Sequence, residues 1–309
     1  MGLSTISIKG LGYSKKQAGR IGQGVPDNGE RLRTIEYNVF NGCIGYKGIN
    51  GHDLPEGENS NLVKTARDMG QISKRIMMQL ALYDPNIITF CEGPGEEVLA
   101  EMAGMLKMNY AFFPGGKDGK GHFPGGILTH YEIIGYENRP FVNKSNHNPQ
   151  ELFTRHWGKA KLRLPNGEGL TVHSAHLWPF NKVDNDRKIR LEEIGEMLSS
   201  IHDDLDHDTK SVLLQGDLNH EPGTPEYAKL KEGGLIDMFT AVGRGDGYTH
   251  SSIKPVKRID FIYGIGAIAK QMKACYPLFE GDFRMNIDDP KGFSLSDHIP
   301  VLGDFAMSQ

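Results

Sequence analysis

Eight residues of types that bind metal ions or move protons lie at or beside the ends of apolar, strand-like runs in this sequence. They are Asn38, Glu92, His176, Asp217, Asn219, Asp260, Asp297 and His298. Brought together, they would form a site of carboxylate, amide and imidazole groups. Hard divalent cations such as Mg²⁺ prefer oxygen ligands and are usually held by one or two carboxylates. Glu92 and Asp297 fit that description best.

This set of groups suits the hydrolysis of a phosphate ester. The ester is negatively charged and repels an attacking hydroxide, so catalysis needs a cation on the phosphoryl oxygens, a base for the water and donors for the developing charge. A carboxylate beside an imidazole would hold one tautomer and stabilise its cationic form. Asp260 and His298 could form such a pair if their strands are adjacent.

Each residue taken alone has a simpler interpretation. Asn38 could cap a turn, Glu92 could be the first-turn acid of a helix near Glu96, and His176 could be a structural histidine. Gly-Asp-Leu-Asn at 216–219 could be an ordinary turn. The stronger indication is that residues of this kind end successive apolar strands in one order.

Six motifs carry that order, and together they resemble those of the endonuclease/exonuclease/phosphatase superfamily. They are Tyr37-Asn38-Val39, Ile88-Thr89-Phe90-Cys91-Glu92, Ser174-Ala175-His176-Leu177, Gln215-Gly216-Asp217-Leu218-Asn219, Arg258-Ile259-Asp260-Phe261-Ile262-Tyr263 and Ser296-Asp297-His298-Ile299-Pro300. The superfamily includes pancreatic-type deoxyribonucleases, abasic-site endonucleases, neutral sphingomyelinases, inositol-polyphosphate 5-phosphatases and deadenylases. The resemblance spans about 31–305, and the last three motifs in combination are its most specific part.

The resemblance implies an α+β fold of the deoxyribonuclease I type. This fold is a four-layer α/β/β/α sandwich in which two mixed β-sheets lie face to face between outer helices, with the site at one end of the sheets. We expect a single domain over 31–309. Residues 1–30 are rich in Gly, Lys and Gln, and we expect them to form a surface arm that can be poorly ordered.

The resemblance also implies the metal site. Glu92 would be the main ligand with Asn38 nearby, and Asp297 would complete or adjoin the site. The expected cation is Mg²⁺ or Mn²⁺, with Ca²⁺ as an alternative.

The same resemblance implies roles for the remaining residues. Asp217 would orient or deprotonate the water, and Asn219 would hold a phosphoryl oxygen. His298 would be the general base or a phosphate-stabilising partner oriented by Asp260. His176 would contact the phosphate or assist the leaving group.

Periodicity predicts the elements that position these residues. The strand candidates are 32–39, 87–91, 170–177, 211–214, 256–263 and 299–305. Apolar residues at steps of three and four predict helices over 69–83, 98–106 and 191–201. Thr224-Pro225 predicts a helix start and Gly233-Gly234 its end. The glycine-rich stretches 41–61 and 114–126 are expected to be long loops.

Three further features have two interpretations each. The aromatic residues of a loop over 110–124 and of 178–180 could form a substrate rim or cap the core. The His- and Asp-rich segment 202–208 resembles a metal cluster, but we expect a solvated connection between a helix and a strand. Arg187 and Arg190 could reach a phosphate, but we expect them to be solvated or ion-paired.

Composition limits the class of protein. A net charge of -4 and a pI near 6.3 argue against a general polyanion binder. The three cysteines show no paired spacing, so neither a disulfide framework nor a zinc knuckle is indicated. No apolar run approaches the ~20 residues of a membrane span. Without a signal peptide in the sequence we expect a cytoplasmic protein by default, or a secreted one if a signal has been removed.

The leading hypothesis is therefore a metal-dependent hydrolase of a phosphodiester or phosphomonoester. Nucleic acid, a phospholipid headgroup (as for a sphingomyelinase) and a small soluble phosphate remain alternative substrates. A catalytically silent binding module on the same fold is a rival, although none of the principal motif residues is missing. A serine hydrolase would need a Gly-x-Ser-x-Gly elbow, which the sequence lacks.

Overall fold

A computed structural model describes residues 31–46, 65–115, 123–139, 155–181, 184–284 and 293–307. The expected N-terminal arm over 1–30 lies outside the described residues, as do most of 41–61 and half of 114–126. Among the described residues, no helix combines the length and apolar character needed to cross a membrane.

The strands form two six-stranded sheets. The strands of the first sheet are β1 (Arg31–Asn38), β2 (Ile87–Cys91), β3 (Asn109–Phe113), β4 (Gly125–Thr129), β11 (Met272–Pro277) and β12 (Val301–Ala306). Those of the second are β5 (Glu132–Asn138), β6 (His156–Arg163), β7 (Gly169–His176), β8 (Ser211–Asp217), β9 (Ile236–Asp237) and β10 (Asp260–Gly266). Their orders are β11-β12-β1-β2-β4-β3 and β5-β6-β7-β8-β10-β9.

Both sheets are mixed. The pairs β1–β2 and β7–β8 are parallel, and the other pairs are antiparallel. The carboxyl ends of β1 and β2 therefore share one edge, and the antiparallel β12 begins at that edge. The second sheet repeats the arrangement, because β7 and β8 end where the antiparallel β10 begins.

Helices cover the outer face of each sheet. The helices are α1 (Phe40–Cys43), α2 (Gln71–Ala81), α3 (Glu96–Leu106), α4 (Asp184–His207), α5 (Pro225–Glu232) and α6 (Met238–Val242), with short 3-10 helices at Ile268–Gln271 and Gly281–Phe283. Apolar residues of α2 and α3 pack with those of β1 and β2 in one core. Those of α4 and α5 pack with β7, β8 and β10 in a second core.

A third core fills the space between the sheets, where Leu32 and Ile127 meet Val172 and Ile262. The predicted four-layer α/β/β/α sandwich is confirmed. Because side chains alternate along a strand, the face of β1 that carries Leu32 also carries Thr34, Glu36 and Asn38. The interface between the sheets thus changes from apolar to polar toward the end of β1.

The predicted strand over 87–91 is confirmed, and most other elements differ at their ends by one to several residues. Thr224 caps α5 by accepting a hydrogen bond from the Tyr227 N–H, as its sequence predicts. The strand predicted over 256–263 begins instead at Asp260. Of the preceding residues, Lys257 instead forms an isolated bridge with His250.

Two predicted loops are wrong. The aromatic residues over 109–113 form β3, and Phe113 is buried against His156. The segment 202–207 continues α4, where Asp204 is fully buried. Asp204 Oδ1 accepts a hydrogen bond from Lys159 Nζ at 2.7 Å, and its Oδ2 lies 2.8 Å from His173 Nε2. These contacts connect α4 to β6 and β7 of the second sheet. Asp204 is therefore not solvated, whereas His202, Asp203, Asp206 and His207 are exposed as expected.

Candidate active site

The two sheets deliver all eight predicted residues to one end of the sandwich. Three of them are the last residues of strands: Asn38 of β1, His176 of β7 and Asp217 of β8. Asp260 is the first residue of β10. The other four lie just outside strands, with Glu92 after β2, Asn219 after β8, and Asp297 and His298 before β12. A cavity of about 590 Å³ opens there. It is lined by Glu92, Arg155, His176, Pro179, Phe180, Asn181, Arg187, Arg190, Asp217, Asn219, His220, Glu221, Thr224, Glu226, His250, Lys257, Ile259 and His298.

Asp217 is the point where the two sheets meet. Its Oδ2 accepts from Asn38 Nδ2 at 3.0 Å, and it lies 3.4 Å from His176 Nε2 and 3.6 Å from His298 Nε2. Its Oδ1 accepts from the Asn219 N–H at 3.1 Å. One carboxylate is therefore oriented by groups from both sheets.

The acidity of Asp217 reflects this crowded position. Burial and the neighbouring Asp260 raise the pKa of Asp217 to about 7, while His298 and the hydrogen bond from Asn38 act in the opposite direction. A carboxyl group with such a pKa exchanges a proton near neutral pH, which is the range that favours a general base.

His298 is held by Asp260. Its Nδ1 lies 2.9 and 3.0 Å from the two Asp260 oxygens, and Thr249 Oγ1 donates to the same carboxylate at 2.5 Å. Burial by itself would lower the pKa of His298, but the carboxylates of Asp260, Asp217 and Asp297 raise it well above its usual value. Its Nε2 remains directed toward Asp217.

Glu92 occupies a constrained backbone position directly after β2. Its φ of 50° lies in the left-handed region, which is uncommon for a residue with a Cβ atom. Its Oε2 accepts from the Asn41 N–H at 2.9 Å, and its Oε1 lies 3.5 Å from Arg155 Nη1. The carboxylate is thereby held at the wall of the cavity.

Asp297 lies in a turn that is tied to the first sheet. Ser296 Oγ donates to the Asn38 carbonyl at 2.6 Å and accepts from the His298 N–H at 3.1 Å. Burial raises the pKa of Asp297. Its Oδ2 lies 3.9 Å from His250 Nε2, and the rings of His250 and His298 are 4.8 Å apart.

The donors around this end of the sandwich fit a divalent cation. Two groups of three side chains have ligand atoms within 4.8 Å of one another: His250 and Asp297 with His298, and Asp217 and Asp260 with His298. Because His298 is paired with Asp260, the donors left for a cation are the carboxylates of Asp297 and Asp217 and the imidazole of His250. Burial raises the pKa of both Asp217 and Asp297, and the neighbouring carboxylates of Asp260 and Glu92 raise it further, so a cation would offset the negative charge gathered here. Glu92 adds a further carboxylate to the cavity wall.

The amide of Asn38 makes hydrogen bonds within the protein in addition to any contact with a metal ion. Its Oδ1 accepts from the Phe40 N–H at 3.1 Å, and its Nδ2 faces Asp217 at 3.0 Å and Glu92 at 3.5 Å. The side chain therefore spaces two carboxylates, and one lone pair of its oxygen remains for a further partner.

His176 and Asn219 complete the predicted set. His176 is fully buried and neutral, because burial and the nearby Arg155 lower its pKa well below the usual value. Asn219 has a φ of 50° and donates from Nδ2 to the Leu177 carbonyl at 3.1 Å. Both side chains line the cavity, so each can contact a bound ligand.

Sequence reasoning missed three residues near this site. Arg155 precedes β6 and His250 lies in an irregular segment, so neither follows a strand-end motif. Glu36 lies on the same face of β1 as Asn38, two residues earlier, and this parity was a usable signal. Burial, Asp260 and Asp217 raise the pKa of Glu36 well above its usual value, which favours its neutral form beneath the site.

The two candidate arginines have separate roles. Arg190 is buried, and its Nε donates to Glu226 at 2.9 Å while its Nη1 donates to the Phe180 carbonyl at 2.6 Å. It therefore shapes the cavity wall over 178–181. Arg187 is 58% exposed and lies 3.8 Å from Glu226. The expectation that both are solvated or ion-paired is confirmed.

Comparison with known proteins identifies the fold. An endonuclease/exonuclease/phosphatase family protein from Bacteroides thetaiotaomicron superposes with a TM-score of 0.65 at 17% identity, covering 89% of this chain and 97% of that one. The mannosyl-6-phosphatase Bt3783 of the same organism gives 0.65 at 16% identity, covering 88% and 98%. Danio rerio TDP2 in complex with a single-strand DNA product gives 0.57 at 18% identity, covering 89% and 98%. No protein-family model and no curated protein sequence matches the chain.

Proposed function

We propose that this chain, whose fold is that of the endonuclease/exonuclease/phosphatase superfamily, is a metal-dependent phosphoesterase that hydrolyses its substrate by in-line attack of water. The observation that carries the proposal is the meeting of Asp217, His298 and Glu92 at one cavity, delivered by both sheets. Fold alone does not determine activity, so the proposal depends on this geometry.

Asp217 is proposed to take the proton of the attacking water. Its pKa of about 7 suits a general base, and hydrogen bonds from Asn38 and the Asn219 N–H fix the direction of its oxygens. The raised pKa of His298 makes it a cation at neutral pH. This favours His298 as a donor to the phosphoryl oxygens rather than as the base, with Asp260 holding the ring.

Glu92 and Asp297 are proposed to hold the divalent cation, with Asn38 nearby. Bound Mg²⁺ or Mn²⁺ would supply Lewis-acid stabilisation of the charge that develops on the phosphoryl oxygens. His176 and Asn219, which line the same cavity, would contact the phosphoryl group or the leaving oxygen.

The cavity favours a compact phosphate ester. Its volume of about 590 Å³ lies in the range of small-molecule sites and exceeds the needs of phosphate alone. Its lining contains both cations and carboxylates, so it is a mixed rather than a uniformly basic surface; the cations are Arg155, Arg187, Arg190 and Lys257, and the carboxylates are Glu92, Asp217, Glu221 and Glu226. Nucleic-acid binding relies mainly on basic surface, so we place a small soluble phosphate ahead of a polynucleotide.

Hydrolysis assays with model esters test the proposal. We expect turnover of p-nitrophenyl phosphate or its bis-ester with Mg²⁺ or Mn²⁺, loss with EDTA, and loss in Glu92→Gln. Glu221→Gln is a matched control, because it removes another carboxylate of the same cavity. Equal activity in wild type and Glu92→Gln would contradict the metal assignment.

The substrate class requires a second panel. Hexose phosphates, inositol phosphates, sphingomyelin and single-stranded oligonucleotides should be compared by kcat/KM under the same metal conditions. Turnover confined to oligonucleotides would overturn the compact-substrate proposal. Absence of turnover across both panels would favour a binding module on this fold.

A further inference from the structure

The guanidinium of Arg155 lies against the carboxylate of Glu92 within the cavity. Nη1 of Arg155 is 3.5 Å from Oε1 of Glu92. The two side chains are 15% and 13% exposed, so both charges are largely withdrawn from water yet border the cavity. Each ion therefore depends on a partner of opposite charge inside the site.

The contact between them is loose. Bidentate arginine–carboxylate pairs are made with two bonds of about 2.7–2.9 Å. The chain forms such a pair between Arg33 and Asp304, with bonds of 2.7 and 2.8 Å. Arg155 offers Glu92 one nitrogen at the outer limit of a hydrogen bond. Such a contact exchanges readily for a better anionic partner.

Arg155 is placed to change its partner without leaving the site. Its Cζ lies 3.2 Å from the centroid of the Phe123 ring, which supports the flat face of the guanidinium while Nη1 faces Glu92. The guanidinium is largely withdrawn from water, since its side chain is only 15% exposed. The arginine thus requires an anion, and a phosphoryl group is one that its fork of donors fits.

We propose that Arg155 binds the phosphoryl group of the substrate and serves as the counter-ion of Glu92 until a divalent cation binds there. This rests on the proposed function, in which Glu92 holds the cation. A cation at Glu92 repels the guanidinium, which then turns its N–H edge to the phosphoryl oxygens. Arg155 therefore weakens cation binding at Glu92 when no phosphate is bound, and it no longer does so when phosphate is bound and takes the guanidinium.

This exchange makes the two ligands cooperative. Coupling between two sites is reciprocal, so phosphate raises the affinity for the cation by the same factor as the cation raises the affinity for phosphate. Arg155 variants should shift the two affinities in opposite directions. A residue with only a structural role would weaken both.

Direct binding measurements test this without relying on turnover. Mn²⁺ affinity would be measured by electron paramagnetic resonance in wild type, Arg155→Gln and Arg155→Lys, and inorganic phosphate affinity by calorimetry with and without Mg²⁺. Arg187→Gln is the matched control, because it removes another arginine of the same cavity. Thermal melts identify any variant that fails to fold. Arg155→Lys keeps the positive charge and should retain the wild-type Mn²⁺ affinity, whereas Arg155→Met, which removes the charge, replaces Arg155→Gln if the glutamine variant does not fold.

We expect Arg155→Gln to bind Mn²⁺ about fivefold more tightly and phosphate about tenfold more weakly, with the cooperativity lost. Arg187→Gln should leave Mn²⁺ affinity unchanged. Unchanged or weaker Mn²⁺ binding in Arg155→Gln would overturn the inference while leaving the metal-dependent phosphoesterase intact. A wild-type protein that binds no Mn²⁺ and hydrolyses no ester would instead overturn the proposed function and the inference with it.

Discussion

Asp260 and His298 are paired across the interface between the two sheets. His298 Nδ1 lies 2.9 Å from Asp260 Oδ2, although Asp260 begins β10 of the second sheet and His298 precedes β12 of the first. The sequence made this pair conditional on adjacent strands, and β10 and β12 do lie next to each other, although they belong to different sheets. The pairing requires the sheets to be packed face to face at the correct register.

Asp260→Asn tests whether this pairing orients His298. The amide keeps the size of the side chain but removes the charge that stabilises the imidazolium, so we expect kcat to fall about 10²–10⁴-fold. KM should change less, because the group acts on the reaction step. Steady-state kinetics on the best ester from the panels would measure this. A fall confined to KM would show that Asp260 contributes to binding instead.

Asp217→Asn should separate activity from stability. The pKa of Asp217 is about 7 in the folded protein and 3.8 in the unfolded chain. Between pH 3.8 and 7 the folded state therefore binds more protons than the unfolded state. The contribution of Asp217 to stability falls as the pH rises through this range. The variant should therefore melt at the same or a higher temperature than wild type at pH 8, with turnover at least ~100-fold lower. The gain in melting temperature should vanish near pH 4. A lower melting temperature at pH 8 would contradict the raised pKa.

Much of the fold could be predicted because its elements obey local rules. The strand over 87–91 is an apolar run interrupted only by Thr89, while Thr224 supplies the capping oxygen of α5 and Pro225 begins the helix with a fixed φ. In the segment 202–207 the expected solvent exposure holds for His202, Asp203, Asp206 and His207, but the segment is helical and Asp204 is buried. Only tertiary contacts with Lys159 and His173 explain why Asp204 is buried.

Some residues of the site could likewise be predicted from the sequence, and others could not. Residues at strand ends could be recognised because a motif surrounds each of them. Arg155 and His250 could not, since their positions depend on how segments without periodicity pack at the cavity. The local pattern gives the residue types, whereas the distances between Asp217, His176 and His298 follow from the packing of two sheets.

Asp304→Ala should destabilise the first sheet strongly. Arg33 and Asp304 are fully buried and form two short bonds between β1 and β12. Removing one partner leaves an uncompensated buried charge, for which we expect a loss of about 3–5 kcal/mol in the free energy of unfolding. Glu137→Ala, which removes the exposed partner of Arg139, is the control and should cost less than about 1 kcal/mol. Urea unfolding measures both, and similar losses would contradict the argument.

His156 should make the fold sensitive to acid. Burial, together with Arg155, lowers the pKa of His156 from 6.5 to about 3, so the unfolded chain binds one more proton than the folded one between these values. Stability is therefore full above pH 6.5 and falls by up to ~1.4 kcal/mol per pH unit below it. His156→Gln should show a shallower decline between pH 6.5 and 4 in urea titrations. The exposed His207→Gln is the control, and an equal change of slope in both would refute the assignment.

Gly216→Ala should damage both stability and the site, because this glycine sets the path of β8 into Asp217. Its φ is 152°, and a Cβ atom there would lie 1.8 Å from the Ala175 carbonyl oxygen of the neighbouring β7. Backbone would have to move, so we expect a loss of at least about 2 kcal/mol in the free energy of unfolding. Asp217 would move with it, away from His176 and His298, and turnover should fall in parallel. Gly135→Ala in β5 is the matched control, since its Cβ would meet no atom within 4 Å. Normal turnover in Gly216→Ala would mean that the position of Asp217 is set by its hydrogen bonds and not by the strand that carries it.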